Sequence, residues 1–239
     1  MGKKVLEELE PWNLSYKMSL QAKPSWSRHG LPHLFDEFIS LVKSSGNGTN
    51  HLDIGCGDGV KTVNYALNGL NTIGIDTSAN GFKEARDLIK ELEIPKKCKV
   101  IKASCLNLPF SKEEFNSASD TLCFTHVKPK DYQKYKNELY QVLKQGSFIM
   151  MVLFSDKDKH FHGHKVSGKY TFKFDPKNPL MEGFEHYHGM YNAHFNKQEI
   201  RKTFEDLFKI VKIIEVKHPV YEHRFLWNII LQKTSKNAS

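Results

Sequence analysis

The chain has 239 residues, 39% hydrophobic and 12% aromatic, which suits one domain with a substantial core. Its 35 Lys and Arg against 27 Asp and Glu leave a net charge of +8. No run nears the ~18 apolar residues of a membrane span. The charged, amphipathic start Met1 to Glu10 has no signal-peptide apolar region, and Leu6 stands where a myristoylation motif needs Ser or Thr. These features exclude a membrane or secreted class and lead us to expect a soluble, cytoplasmic protein. Cys56, Cys98, Cys105 and Cys123 form no C-x-x-C pair, so reduced thiols are expected rather than zinc or a disulfide framework. The lysines are scattered over the whole chain, which favours a solvated basic surface over a nucleic-acid patch.

Residues 1–31 read as a leader: a short helix over Lys4 to Glu10, stopped by Pro11, then Trp12, Tyr16 and Trp26 among Asn, Ser and Pro. Such a segment either packs on the main domain or closes over a ligand. Pro32 is placed to start a helix with the stripe Leu34, Phe35, Phe38, Ile39 and Val42, ended by Gly46-Asn-Gly48. Asn50 to Ile54 then reads as a buried strand, Gly55 to Gly59 as a tight turn, and Val60, Val63 and Leu67 as the stripe of a following helix. Glycines suit a backbone that must bend sharply and approach a ligand closely. The helix start behind the turn adds unpaired N–H groups and partial positive charge.

The stretch Asp53-Ile-Gly-Cys-Gly-Asp-Gly59 has the spacing D-x-G-x-G-x-G. The dinucleotide fingerprint G-x-G-x-x-G places its third glycine one residue later, and no Gly-Lys-Ser/Thr completes a P-loop. The motif resembles the cofactor turn of class I S-adenosylmethionine-dependent methyltransferases. The resemblance covers roughly residues 30–155 and, more loosely, 196–233. It implies a Rossmann-like α/β fold, a seven-stranded mostly parallel sheet flanked by helices with its last strand antiparallel. It also implies S-adenosylmethionine as cofactor, with Asp53, Gly55, Cys56, Gly57 and Gly59 at the methionine end. In that family a leader with a Pro-Trp pair is common, and Pro11-Trp12 is such a pair.

Asn71 to Ile75 is the second strand, ending at Asp76, about twenty residues past the first glycine, where doubly wound sheets hold ribose hydroxyls with an acid. Thr77 joins that set, and Ser78 is available to cap the next helix, whose buried side is Phe82, Ala85, Leu88, Ile89 and Leu92. Lys99 to Ala103 is the third strand. Ser104-Cys-Leu-Asn-Leu-Pro-Phe110 resembles the D-A-x-x-L-P-F segment of ubiquinone-biosynthesis-type methyltransferases, which assigns Ser104, Cys105 and Leu106 to the adenine. Ser104 replaces the family's Asp, so that contact lacks a charge. Phe115-Asn116 stands where the family has Phe-Asp, and Ala118 to Phe124 is the fourth strand, with Thr121 counted among the cofactor residues.

Cys123-Phe124-Thr125-His126 matches one histidine of the family's His-His after that strand. This makes His126 a candidate for substrate contact or proton removal, against the alternative of a loop-capping histidine. Asp131 is placed to cap a helix with Tyr132, Tyr135, Leu139, Val142 and Leu143, closed by Gly146, and Phe148 to Phe154 is the fifth strand.

Residues 156–195 then break the α/β rhythm as an insertion holding half of the 12 histidines, with Tyr170, Phe172 and Phe174 alternating like a strand. His160, His162 and His164 would ligate a metal only on one strand face, and without cysteines or H-E-x-x-H no metal is expected. His186, in His186-Tyr187-His188 with Tyr191 and His194 nearby, is the second candidate catalytic residue. Asn196 and Glu199 form a capping-box start for a helix through Ile200, Phe204, Leu207 and Phe208. Ile210 to Val216 and Phe225 to Gln232 close the chain as two strands, resembling the ends of tellurite-resistance-type enzymes.

The expectation is a single domain over 1–239 that methylates a small molecule by in-line displacement. The alternatives are an RNA methyltransferase using the basic surface, a non-catalytic S-adenosylmethionine-binding partner subunit and, more remote, a nicotinamide oxidoreductase.

Overall fold

The structure, a computed structural model, describes residues 30–158, 163–166, 169–172, 190–218 and 224–234, the segments 163–166 and 169–172 as backbone only. The leader with Trp12 and Trp26 therefore lies outside the described residues, as do His160, His162, His186, Tyr187 and His188.

Helix α1 (Phe35–Ser44) leads into β1 (Asn50–Ile54), α2 (Val60–Leu67), β2 (Asn71–Asp76), α3 (Ala79–Glu91), β3 (Cys98–Lys102), β4 (Phe115–Thr121), α4 (Tyr132–Val142) and β5 (Leu143–Ser155). After the insertion come α5 (Lys197–Phe204), β10 (Phe208–Lys217) and β11 (Phe225–Lys233). Within the insertion, β6 (Gly163–Val166), β7 (Lys169–Phe172) and β8 (Tyr191–Asn192) make a separate three-stranded sheet, while β9 (His194–Phe195) pairs parallel with β5.

The main sheet runs β10-β11-β5-β4-β1-β2-β3. Its β5-β4-β1-β2-β3 part is parallel, and β11 is antiparallel to both neighbours. This is the expected Rossmann-like architecture, with β9 as an eighth, two-residue strand.

Period-two alternation in the strands separates the two faces. Leu52, Ile54, Ile149, Met151 and Leu153 pack with Tyr135, Leu139 and Val142 of α4 and with Ile200 and Phe204 of α5. Met150, Val152 and Phe154 face the other way, onto Phe35, Phe38, Ile39 and Val42 of α1. Each fully buried side chain of this kind contributes roughly 1.5–3 kcal/mol.

Several boundaries differ from the sequence reading. Helix α1 begins at Phe35 rather than Pro32, because His33 N–H donates to Asn228 Oδ1 (2.9 Å) and holds the lead-in as a turn. Helix α4 stops at Val142, and Leu143 already pairs with Phe115. Gly146 (φ 77°) does not close a helix; it lies inside β5, where the register against β4 shifts. Helix α5 ends at Phe204, since Phe208 pairs with Lys233 in the sheet. The Asn196–Glu199 capping box is present in both directions (2.9 Å each), whereas Asp131 makes no side-chain cap. Strand β4 starts at Phe115 and ends at Thr121, three residues short of Phe124: Leu122 turns into the left-handed region (φ 69°) and Phe124–His126 forms a 3-10 turn.

Candidate functional site

Four segments meet at the carboxyl edge of the parallel strands: the glycine turn after β1, the end of β2, the loop after β3 and the turn after β4. Gly55, Gly57 and Gly59 all have positive φ (69°, 54° and 78°). A Cβ on Gly55 would lie 2.5 Å from Cys123 Cβ, and one on Gly59 would lie 2.7 Å from Ala85 Cβ. The turn is thus wedged between the β4 turn and α3. Cys56 is buried, its N–H donating to Ile75 O (2.9 Å).

Asp76 clamps this turn. Its Oδ2 accepts from Gly57 N–H (2.9 Å) and its Oδ1 from Ser78 N–H (2.7 Å), while the Ser78 hydroxyl caps α3 through Gly81 N–H (3.2 Å). Asp76 and Thr77 remain partly exposed. Burial pushes the Asp76 carboxyl up, against the backbone donors that lower it. Ala103 N–H bonds to Asp76 O (3.1 Å), which brings the β3 loop alongside. In that loop the Ser104 hydroxyl accepts from Leu106 N–H (3.2 Å) and so holds the loop's own bend, with Cys105 and Leu106 partly exposed beside it. Thr121 Oγ1, at the end of β4, is buried with no hydrogen-bond partner. An orphaned hydroxyl there suits a bound polar ligand.

Asp53 requires a correction. The sequence reading placed its carboxylate against a ligand ammonium, but Asp53 is 2% exposed. Its Oδ1 accepts from Ser119 Oγ (2.6 Å) and its Oδ2 from Thr62 Oγ1 (2.6 Å). It pins β1 to β4 and to α2 beneath the turn. Ser119 also contacts His51 Nε2 (2.9 Å), and His51 Nδ1 contacts Ser117 Oγ (2.9 Å). Since the one Ser119 proton goes to Asp53, Nε2 carries the imidazole hydrogen and Nδ1 accepts from Ser117. Burial pulls the His51 pKa down to about 3, so the ring is neutral. The sequence reading missed this network. Its signal was the polar run Asn116-Ser-Ala-Ser-Asp120 within a strand otherwise placed in the core, since buried polar groups require partners.

Asp120 was missed for the same reason. It is 1% exposed, accepts from Tyr135 Oη (2.6 Å), and receives Phe124 N–H on both oxygens (3.1 and 3.2 Å). It thereby folds the turn that carries His126. Burial pushes its pKa up to about 7. A carboxyl with a folded pKa above its unfolded value of about 4 stabilises the fold most below pH 4, and that contribution is lost as pH rises through 7. Asp120→Asn should therefore flatten the fall in urea-denaturation stability between pH 5 and pH 8. An unchanged pH slope would contradict this role.

His126 Nδ1 lies 3.0 Å from Tyr191 O, and its ring meets Phe154 edge-on at 6.3 Å. Burial lowers its pKa to about 4, so near neutral pH Nδ1–H donates to Tyr191 O and Nε2 offers a lone pair. Ala193 N–H donates to Thr125 O (2.7 Å), so the end of the insertion docks on this turn. His194 stacks on Phe154 (5.3 Å), and the Arg224 guanidinium lies 5.1 Å from the same ring, its Nε 3.4 Å from Asp158 Oδ2. Of the sequence-predicted site residues that are described, the structure gathers the glycines, Asp76, Thr77, Ser104 to Leu106, Thr121 and His126 at one edge. His164 is described only as backbone in β6. Among the described residues no cluster of three or more His, Cys, Asp or Glu could hold a metal ion, and no helix is long and apolar enough to cross a membrane.

Residues 52–146 match a family model described as a methyltransferase domain. An uncharacterized protein of Methanocaldococcus jannaschii is 30% identical over 140 residues, 57% of each chain. A sterol 4-C-methyltransferase of Caenorhabditis elegans is 29% identical over 116 residues, 46% of this chain and 34% of that one. The chain thus spans only part of the length of these relatives. Among solved structures, a SAM-dependent methyltransferase of Methanosarcina mazei aligns with a TM-score of 0.66 at 21% identity, covering 85% of this chain and 98% of that one. The 1,6-didemethyltoxoflavin-N1-methyltransferase of Burkholderia thailandensis aligns at 0.69 and 14% identity, covering 98% and 92%.

Proposed function

We propose, from the premise that residues 52–146 form a class I S-adenosylmethionine-dependent methyltransferase domain, that the protein transfers a methyl group to a small-molecule acceptor. The observation that carries this reading is the glycine turn with its N–H of Gly57 held on Asp76, beside a carboxylate edge still open to a ribose. A carboxylate can accept from two vicinal hydroxyls at once. Three residues in left-handed conformation with no room for Cβ atoms let the backbone reach the methionine end. The Cys105 and Leu106 backbone serves the adenine, and the orphaned Thr121 hydroxyl supplies a donor at the end of β4.

S-adenosylmethionine, when bound, supplies an electrophilic methyl on a sulfonium. The chain's own work is to align the acceptor with that methyl and exclude water, and positioning can supply much of the rate. His126 sits on the turn after β4 with Nε2 available as an acceptor. A pKa near 4 makes it a weak base, so its role is to orient an acceptor O–H or N–H rather than to hold its proton. The insertion, whose end packs on this turn, is the segment that would select the substrate. The sterol 4-C-methyltransferase and the toxoflavin-precursor N1-methyltransferase both act on small molecules, which supports that substrate class. The basic surface keeps RNA as a second reading, and salt-sensitive retention on RNA would favour it.

Calorimetric titration with S-adenosylmethionine and, separately, with NADH tests the cofactor assignment. Micromolar binding of the first alone is expected; binding of NADH would overturn the reading. His126→Ala should reduce methyl transfer by about 10–100-fold with cofactor affinity within about twofold. Full turnover would return His126 to a loop-capping role.

A further inference from the structure

The four cysteines divide into two kinds. Cys56 and Cys98 are buried, at 7% and 1% exposure, whereas Cys105 and Cys123 are partly exposed. Cys105 follows β3 and Cys123 follows β4, strands separated in the sheet by β1 and β2. The loop after β3 crosses that gap: Leu108 N–H donates to Glu138 Oε2 on α4 (2.7 Å), and Phe110 packs on Phe115 at the start of β4 (4.8 Å). This crossing brings the Cys105 thiol into hydrogen-bonding contact with the Cys123 thiol, both packed against the same apolar cluster. Cys123 in turn lies against the glycine turn, its Sγ 2.9 Å from where a Gly55 Cβ would stand. The two sulfurs thus join the adenine loop to the β4 turn across the wall of the cofactor site.

We propose that Cys105 and Cys123 are a modification site: a thiol pair that low-molecular-weight disulfides oxidise to an intramolecular disulfide, tying the β3 loop to the β4 turn and weakening cofactor binding. The effect on binding rests on the cofactor assignment above, but the disulfide itself does not.

The hydrogen bond with Cys105 and then burial push the Cys123 thiol well up, so Cys105 is the first to attack. Its thiolate, having given its proton to solvent, attacks one sulfur of the oxidant R–S–S–R and releases RS⁻. Cys123 then loses its proton and attacks the Cys105 sulfur of the mixed disulfide, releasing a second RS⁻. The two thiol protons end on two R–SH, and the oxidant takes up the two electrons.

The test uses the full chain treated with oxidised glutathione, with intact mass, peptide mapping and calorimetry with S-adenosylhomocysteine as readouts. A loss of about 2 Da, a linked Cys105–Cys123 peptide and alkylatable Cys56 and Cys98 are expected. Affinity should fall about tenfold and recover with dithiothreitol. In Cys105→Ser and in Cys123→Ser, oxidation should no longer change each variant's own affinity. Four alkylatable thiols after treatment, a link involving Cys56 or Cys98, or a Cys105–Cys123 disulfide that leaves affinity unchanged would each overturn the proposal. Reduced protein that fails to bind the cofactor analogue at all would instead overturn the cofactor assignment, and the mass and peptide readouts still decide the disulfide.

Discussion

Asp76→Ala should weaken S-adenosylmethionine binding by about 100-fold or more. Two hydrogen bonds from ribose hydroxyls to a carboxylate contribute roughly 1.5 kcal/mol each at the lower end for charged groups, and about 3 kcal/mol corresponds to about two powers of ten in affinity. A second loss adds to this, because Asp76 also holds Gly57 N–H and Ser78 N–H. Without it the turn and the start of α3 lose a shared acceptor. Asp76→Asn separates the two effects. The amide keeps one acceptor oxygen for the turn but only one for the sugar, so its affinity should fall between those of wild type and Asp76→Ala. Calorimetry measures both, and wild-type affinity in Asp76→Ala would remove Asp76 from the cofactor site.

Gly59→Ala should cost about 2–5 kcal/mol of stability. Gly59 sits at the N-cap of α2 with φ 78°, a conformation that costs an L-residue about 1–2 kcal/mol. The added methyl would lie 2.7 Å from Ala85 Cβ and 2.9 Å from Ala85 Cα, and overpacking of this kind costs about 1–3 kcal/mol. Urea denaturation should show a lower midpoint at an unchanged slope. Adding Ala85→Gly, referred to Ala85→Gly alone, should recover the contact part and leave the backbone part. No recovery would mean that the strain lies in the backbone alone.

The order of elements and the cofactor turn were legible in the sequence because both are local. Stripe spacing marks α1 to α5, alternating glycines mark the turn, and Asn196 with Glu199 marks a helix start within four residues. Asp76 was legible too, since its spacing from the turn spans one strand–helix unit. The end of β4 was not: an apolar-looking run from Ala118 to Phe124 reads as one strand. It breaks because Asp120 finds Tyr135 and bends the backbone back onto itself.

What the tertiary structure alone decided is which polar groups meet. Asp53 reads as a ligand group beside the glycines, yet strand pairing sets it opposite Ser119, 66 residues away, whose hydroxyl takes one of its oxygens. Cys105 and Cys123 read as unrelated buried thiols, and only the crossing of the β3 loop over to α4 brings them together. Such partners are chosen by the register and stacking of distant strands. The sequence by itself carried the local conformational preferences from which each element forms, and the chain determined the site's chemistry only once packing had removed water and left each buried donor and acceptor to find its partner.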